Sequence, residues 1–183
     1  MKQLDFSVFE QRYGIQVRLV EETDAEFIVK LRTDPKLGRF IHATDDSVEK
    51  QKDWIREYKK REAEGIDYYF LYAKDGAPFG VSRIHDIQSD RAETGSWVCQ
   101  RGMPFELPVL TLIVEQEILF DQLHLDCNYF YVRKQNRNVI KKMYLMLGSE
   151  MSEDDLNYHF VLRKENFYKQ RDYVLKLLNH NIK

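Results

Sequence analysis

Polar and apolar positions alternate along "IQVRLV" (15–20), where Ile15, Val17 and Val20 are β-branched, which predicts a strand. "ETDAEFIVKLRTDP" changes to helical spacing, with Thr23 as the expected N-cap, Glu26 three residues on and Pro35 closing the helix. A second helix is expected over "DDSVEKQKDWIREYKKREAEG", with Val48, Trp54, Ile55 and Tyr58 on its apolar side and Gly65 at its end. The triplet Lys59-Lys60-Arg61 reads as a solvated polar end.

"DYYFLYAKDGAPFGVSRIHDI" predicts a hairpin around an Asp-Gly turn. After the polar loop "QSDRAE" come a strand at 94–100, a helix of roughly 107–123, the strand "NYFYVR", a helix from about 138 to 147 and the strand "NYHFVLRK". The tail "ENFYKQRDYVLKLLN" is amphipathic through Phe167, Val174, Leu175 and Leu178, so a helix over about 165–179 is expected to cover the core. A β-α-β unit following an antiparallel meander implies a mixed α/β sheet with helices on both faces. With no repeat, low-complexity segment or linker, residues 1–183 read as a single domain.

Composition narrows the classes. Apolar content of 43% and charged content of 32% suit a globular chain that buries its own core. A net charge of −2 argues against a dedicated nucleic-acid binder, which needs a cationic excess. Cys99 and Cys127 are far apart in apolar surroundings and are expected as buried free thiols without metal-ligand or redox spacing. The longest apolar run, "LPVLTLIV", is too short to span a bilayer and the opening residues lack the apolar core of a signal peptide, so a cytoplasmic location without membrane or metal is expected.

One segment departs from the average. "YVRKQNRNVIKKMYLMLG" (131–148) has no acidic residue and gathers Arg133, Lys134, Arg137, Lys141 and Lys142 around Asn136. A solvated helix face is one explanation and a phosphate-bearing ligand is the other. The gap between the strands "TGSWVCQ" and "NYFYVR", joined by the 107–123 helix, is where a ligand is expected in such a sheet.

Four segments in order, "VRLVEETDAEFIVKLRTDP", "YYFLYAKDGAPFGVSRIHDI", "GSWVCQRG" and "VRKQNRNVIKKMYLMLG", resemble the GNAT superfamily of acyl-CoA-dependent N-acyltransferases, in the branch that acylates amino sugars or protein N-termini. The resemblance covers roughly residues 15–150 and implies a mostly antiparallel twisted sheet with a central β-α-β unit. It also implies an extended acyl-CoA arm along the main chain of Val98, Cys99 and Gln100, whose N–H groups hold the thioester oxygen. Asn136 takes the place of the family Asn that touches this arm. Arg133, Arg137 and Lys141 become available for the CoA phosphates, and Arg101 and Leu107 count among the cofactor contacts that the resemblance implies.

Two departures stand against the family pattern. The pyrophosphate loop Q/R-x-x-G-x-G/A is absent, because "QRGMPFELP" sets Phe105 and Leu107 near the glycine positions, and Pro104 and Pro108 lack N–H groups. The acid expected on the following helix, Tyr144, stands eight residues after Asn136, where the family offset is seven and Met143 stands here.

The base is sought among Asp86, Glu93 and the adjacent His85, because only a neutral amine attacks a thioester. "RTDPKLGRFIH" resembles the substrate-covering loop and offers Arg32, Arg39 and His42 as substrate contacts. The implied reaction moves an acetyl group from acetyl-CoA to a primary amine without a covalent enzyme intermediate. A nucleotide-linked amino sugar for surface polysaccharide is the first acceptor and a protein N-terminus the second, in a monomer or homodimer. A non-catalytic scaffold with the same fold is the rival reading.

Overall fold

A computed structural model describes residues 4, 11–41, 44–140 and 150–178, with the backbone alone at Glu150. Among these residues one sheet of eight strands runs in the order β1-β2-β3-β4-β5-β6-β8-β7. The strands are β1 (Gln11–Arg12), β2 (Ile15–Leu19), β3 (Tyr68–Lys74), β4 (Ala77–His85), β5 (Arg91–Cys99), β6 (Cys127–Arg133), β7 (Glu150–Glu153) and β8 (Asn157–Arg163). Every neighbouring pair is antiparallel except β5 and β6, the ends of the β-α-β unit.

Strand alternation sends successive side chains to opposite faces, and on β3 both faces are buried. Tyr68, Phe70 and Tyr72 join the larger core beneath α3 (Glu106–Glu117) and α4 (Lys164–Leu177). Tyr69, Leu71 and Ala73 face α1 (Ala25–Thr33) and α2 (Val48–Ala63), packing with Ile28, Leu31, Ile55 and Tyr58. The expected tail helix covers the core through Phe167, Val174 and Leu175, and both cysteines are buried and free.

The elements differ from the sequence expectation where local signals meet tertiary ones. Thr23 does not cap the first helix. A 3-10 turn, Glu22–Asp24, precedes α1, and buried Asp24 accepts the Glu21 N–H at 2.8 Å while paired with Arg18 at 2.7 Å. Thr23 lies inside that turn and so does not open the helix, and Asp24 closes the turn back onto the residue that precedes it. The polar stretch 91–93 joins β5 because it pairs with Cys127–Tyr129 of β6. Arg61 is no solvated end residue, since it binds buried Asp67 at 2.8 Å. Strands β1 and β7, only 2 and 4 residues long, carry too little periodicity to be read. The helix expected over 138–147 is helical at 137–140, and its remainder lies outside the described residues.

Candidate active site

The parallel pairing of β5 with β6 lasts only from Arg91 to Glu93, after which the two strands part. On the β4 side, Val81 is opposite Val98 but Arg83 is opposite Gly95, so Ser96 and Trp97 together face Ser82. This is a β-bulge, and Ser96 turns to a left-handed φ of 53° to make it. The bulge bends β5 where it leaves β6, so two features open the same gap. Two cavities, both lined by Arg83 and Ser96, lie there.

The first cavity, about 420 Å³, is lined by Arg39, Phe40, Ile41, Arg83, His85, Glu93, Thr94, Gly95, Ser96, Tyr131 and Arg133. His85 and Glu93 are partners across the β4–β5 ladder, with His85 Nε2 3.8 Å from Glu93 Oε1. Burial lowers the His85 pKa and the Arg83 charge lowers it further, against the weaker pull of Asp67 and Asp86, so the imidazole is neutral at neutral pH. A Cβ on Gly95 would stand 3.4 Å from His85 Nε2, so the missing side chain gives the imidazole its room.

The second cavity, about 390 Å³, lies against α2 and is lined by Arg32, Thr44, Asp45, Lys50, Gln51, Trp54, Tyr69, Arg83 and Ser96. Its walls are fixed from behind. Asp67, 1% exposed, accepts Arg83 Nε at 2.7 Å and Arg61 Nε at 2.8 Å, and also receives Arg83 Nη2. Both guanidiniums lie over Trp54, 5.6 Å from its ring centroid for Arg61 and 5.3 Å for Arg83. Trp54 in turn stacks on Tyr58, whose hydroxyl accepts the Tyr69 N–H at 2.8 Å. Arg32 is oriented by its Nε bond to Thr44 Oγ1 at 2.6 Å.

The sequence candidates distribute unevenly over this geometry. Arg32, Arg39, His85 and Glu93 line the two cavities. Asp86 does not, being an exposed residue at a left-handed φ of 52°. Val98 and Cys99 lie on β5 past its parting from β6, and the Gln100 N–H already donates to Phe79 O at 2.7 Å. Arg101 shares a smaller hollow with Gln100 and Asp34.

Leu107 is buried in the core and its N–H donates to Pro104 O, so with Pro104 and Pro108 lacking N–H groups the start of α3 has few amides left for phosphate. Asn136 caps the following helix, its carbonyl accepting from Val139 and Ile140, and Arg137 is exposed on the first turn. Of the basic run, Arg133 lines the larger cavity and Lys134 pairs with Glu153 at 3.0 Å. Tyr144, Lys141 and His42 lie outside the described residues.

Arg83, Trp54, Tyr69, Ser96 and Asp67 were not singled out by the sequence. One signal was present: Arg83 is a lone charge inside the apolar run "PFGVSRI". The left-handed turn at Ser96 has no signature in the chain, because the bulge depends on the partner strand.

Residues 15–143 match the acetyltransferase (GNAT) domain family. FdhC, described as a nucleotide-linked sugar GNAT and solved in its apo form, is 30% identical with a TM-score of 0.80, over 90% of this chain and 94% of FdhC. Two further structures are alike in fold alone. The N-acetyltransferase PseH of Campylobacter jejuni in complex with acetyl coenzyme A has a TM-score of 0.65 at 19% identity, over 82% and 99% of the two chains. The spermidine N-acetyltransferase of Vibrio cholerae in complex with CoA and spermine has a TM-score of 0.73 at 14% identity, over 86% and 99%. Comparison with curated proteins returns no match. No helix among the described residues is long and apolar enough to cross a membrane.

Proposed function

Because the chain belongs to the GNAT acetyltransferase family, we infer that it transfers the acetyl group of acetyl-CoA directly to the primary amine of a nucleotide-linked amino sugar. The observation that carries this reading is the charge of the chamber beside the β5 edge. Its two cavities present Arg32, Arg39, Lys50, Arg83 and Arg133 against the acids Asp45 and Glu93. An anionic acceptor is attracted to such a lining and a polyamine is repelled by it. The 30% identity to a nucleotide-linked sugar GNAT supports the same acceptor.

Bound acetyl-CoA supplies an activated acetyl thioester, and the protein's task is to deliver a neutral amine to it. An aliphatic amine arrives protonated at neutral pH. Neutral His85 takes that proton at Nε2, directly or through one water, and Glu93 at 3.8 Å stabilises the imidazolium. The amine nitrogen then bonds to the thioester carbon, the C–S bond breaks, and the nitrogen gives up its second proton to water to leave the neutral amide. The departing thiolate, with an ordinary pKa near 8.5, needs only modest help to leave. The main-chain amide of Cys99, which strand alternation turns away from β4, orients the thioester at the β5 edge, and Asn136 and Arg137 meet the cofactor beyond it. Asp86 has no part in this arrangement, and Tyr144 stands as the candidate donor to the thiolate.

The test is a panel of amines assayed with acetyl-CoA: UDP- and dTDP-linked amino sugars, spermidine and a peptide with a free N-terminus. The reading predicts a kcat/KM at least tenfold higher for one of the nucleotide-linked sugars. Preference for spermidine or the peptide contradicts it.

A further inference from the structure

The cavity against α2 is lined mainly by hydrogen-bond donors and shares only Arg83 and Ser96 with the cavity that His85 lines. Resting on the reading of an anionic acceptor, we propose that this cavity is the seat of the acceptor's diphosphate, with Arg32, Tyr69 and Arg83 as the residues that grip it.

Three observations carry this. Arg32 Nε is bonded to Thr44 Oγ1 and Arg83 Nε to Asp67, which orients two planar guanidiniums in the lining, and such groups suit phosphate oxygens. From β3 Tyr69, 2% exposed, stands against the Arg32 guanidinium, and its hydroxyl proton has no acceptor among the described residues. Burial raises its pKa against the pull of Arg32 and Arg83, so it keeps its proton and remains a donor. A buried hydroxyl proton without an acceptor is rare in a folded chain and marks a place where a ligand atom completes the bonding. Finally, the single carboxylate of the lining, Asp45, is turned to Lys50 at 2.5 Å and to the Ser47 N–H at 2.9 Å.

The two cavities meet at Arg83 and Ser96. A ligand with its diphosphate on Arg32 and Arg83 therefore extends its sugar past Ser96 toward His85. This assigns the two ends of the acceptor to two chambers.

Titration calorimetry with UDP, dTDP, inorganic pyrophosphate and a sugar 1-phosphate tests the seat without turnover, in the parent and in Arg32→Gln, Tyr69→Phe and His85→Gln. Diphosphates are expected to bind more tightly than the monophosphate, at least tenfold more weakly in Arg32→Gln and severalfold more weakly in Tyr69→Phe, and unchanged in His85→Gln. Melting temperatures establish that each variant is folded, and Tyr69→Phe keeps the ring and its packing. Unchanged affinity in both cavity variants, an equal loss in His85→Gln, or preference for the monophosphate overturns the proposal. The acceptor reading fails separately. Diphosphate binding through Arg32 with no nucleotide-linked sugar acetylated supports the seat and contradicts that acceptor, whereas acetylation with an unchanged acceptor KM in Arg32→Gln does the reverse.

Discussion

The two faces of the sheet both bury carboxylates, yet they use them differently. Under α3 and α4, Glu117 is 0% exposed and binds Arg12 at 3.0 Å, Arg171 at 3.0 Å and the Tyr13 hydroxyl at 2.6 Å. That knot fastens the β1–β2 end of the chain to α4 and leads nowhere else. On the opposite face Asp67 holds Arg61 and Arg83 in the same way, but Arg83 continues into two cavities. The device is shared, and only the direction in which the arginines open separates a structural clamp from a prepared site. Glu115, one helical step from Glu117, shows what happens without the arginines. It is 2% exposed, its Oε1 has no partner among the described residues, and burial pushes its pKa up to about 8.

Removing the clamp is expected to have the largest effect. Glu117→Ala leaves the half-buried Arg12 without its carboxylate, Arg171 with Asp172 alone and the Tyr13 hydroxyl without its acceptor, and should cost about 3 kcal/mol or more, read as a lower denaturant midpoint. The same substitution should leave diphosphate affinity unchanged in the protein that remains folded.

Glu115 sharpens the comparison through pH. Its folded pKa, about 8, lies above its ordinary value of 4.5, so between these the native state keeps a proton that the unfolded chain releases. Stability must fall as pH rises through that window and level off above about 8. Glu115→Gln removes this slope, leaving stability near the parent's at pH 5 and higher at pH 8 by on the order of a few kcal/mol. Parallel unfolding curves at the two pH values check it.

Asp67→Asn should have the smallest effect on the fold and a selective one on the site. Arg61 and Arg83 are partly solvated and tolerate a weakened partner, so a loss of about 1–2 kcal/mol is expected. Arg83 loses its fixed position, and the acceptor KM should rise about tenfold with kcat changing less. A loss confined to kcat would show that Asp67 acts on the chemistry and not on the grip.

Most of the fold was legible in the chain, because each long element has its own periodic pattern. The 91–93 segment escaped, since its partner on β6 and not its own polarity makes it a strand. The site was legible only in part. Arg32, Arg39, His85 and Glu93 were within reach because they stand near strand ends, in the last turn of α1 or in the loop after it. Leu107 and the Gln100 amide were taken for ligand contacts on a resemblance, and the structure gives both of them intramolecular partners. Tyr69 looked like core and Trp54 like the apolar side of a helix. Their second role comes from cavities assembled from α2, β3 and β4, and no local pattern encodes such a meeting.

The central claim is that His85, kept neutral beside Glu93, accepts the proton of the amine in the gap where β5 leaves β6. The most direct test is kcat against pH for the parent and His85→Gln, with the best acceptor from the panel. The parent should lose activity on acidification with an apparent pKa below the ordinary imidazole value of 6.5, since the base works only while unprotonated. His85→Gln should lower the plateau by about 10² or more and abolish that limb. A variant that keeps both the plateau and the acid limb would contradict the account.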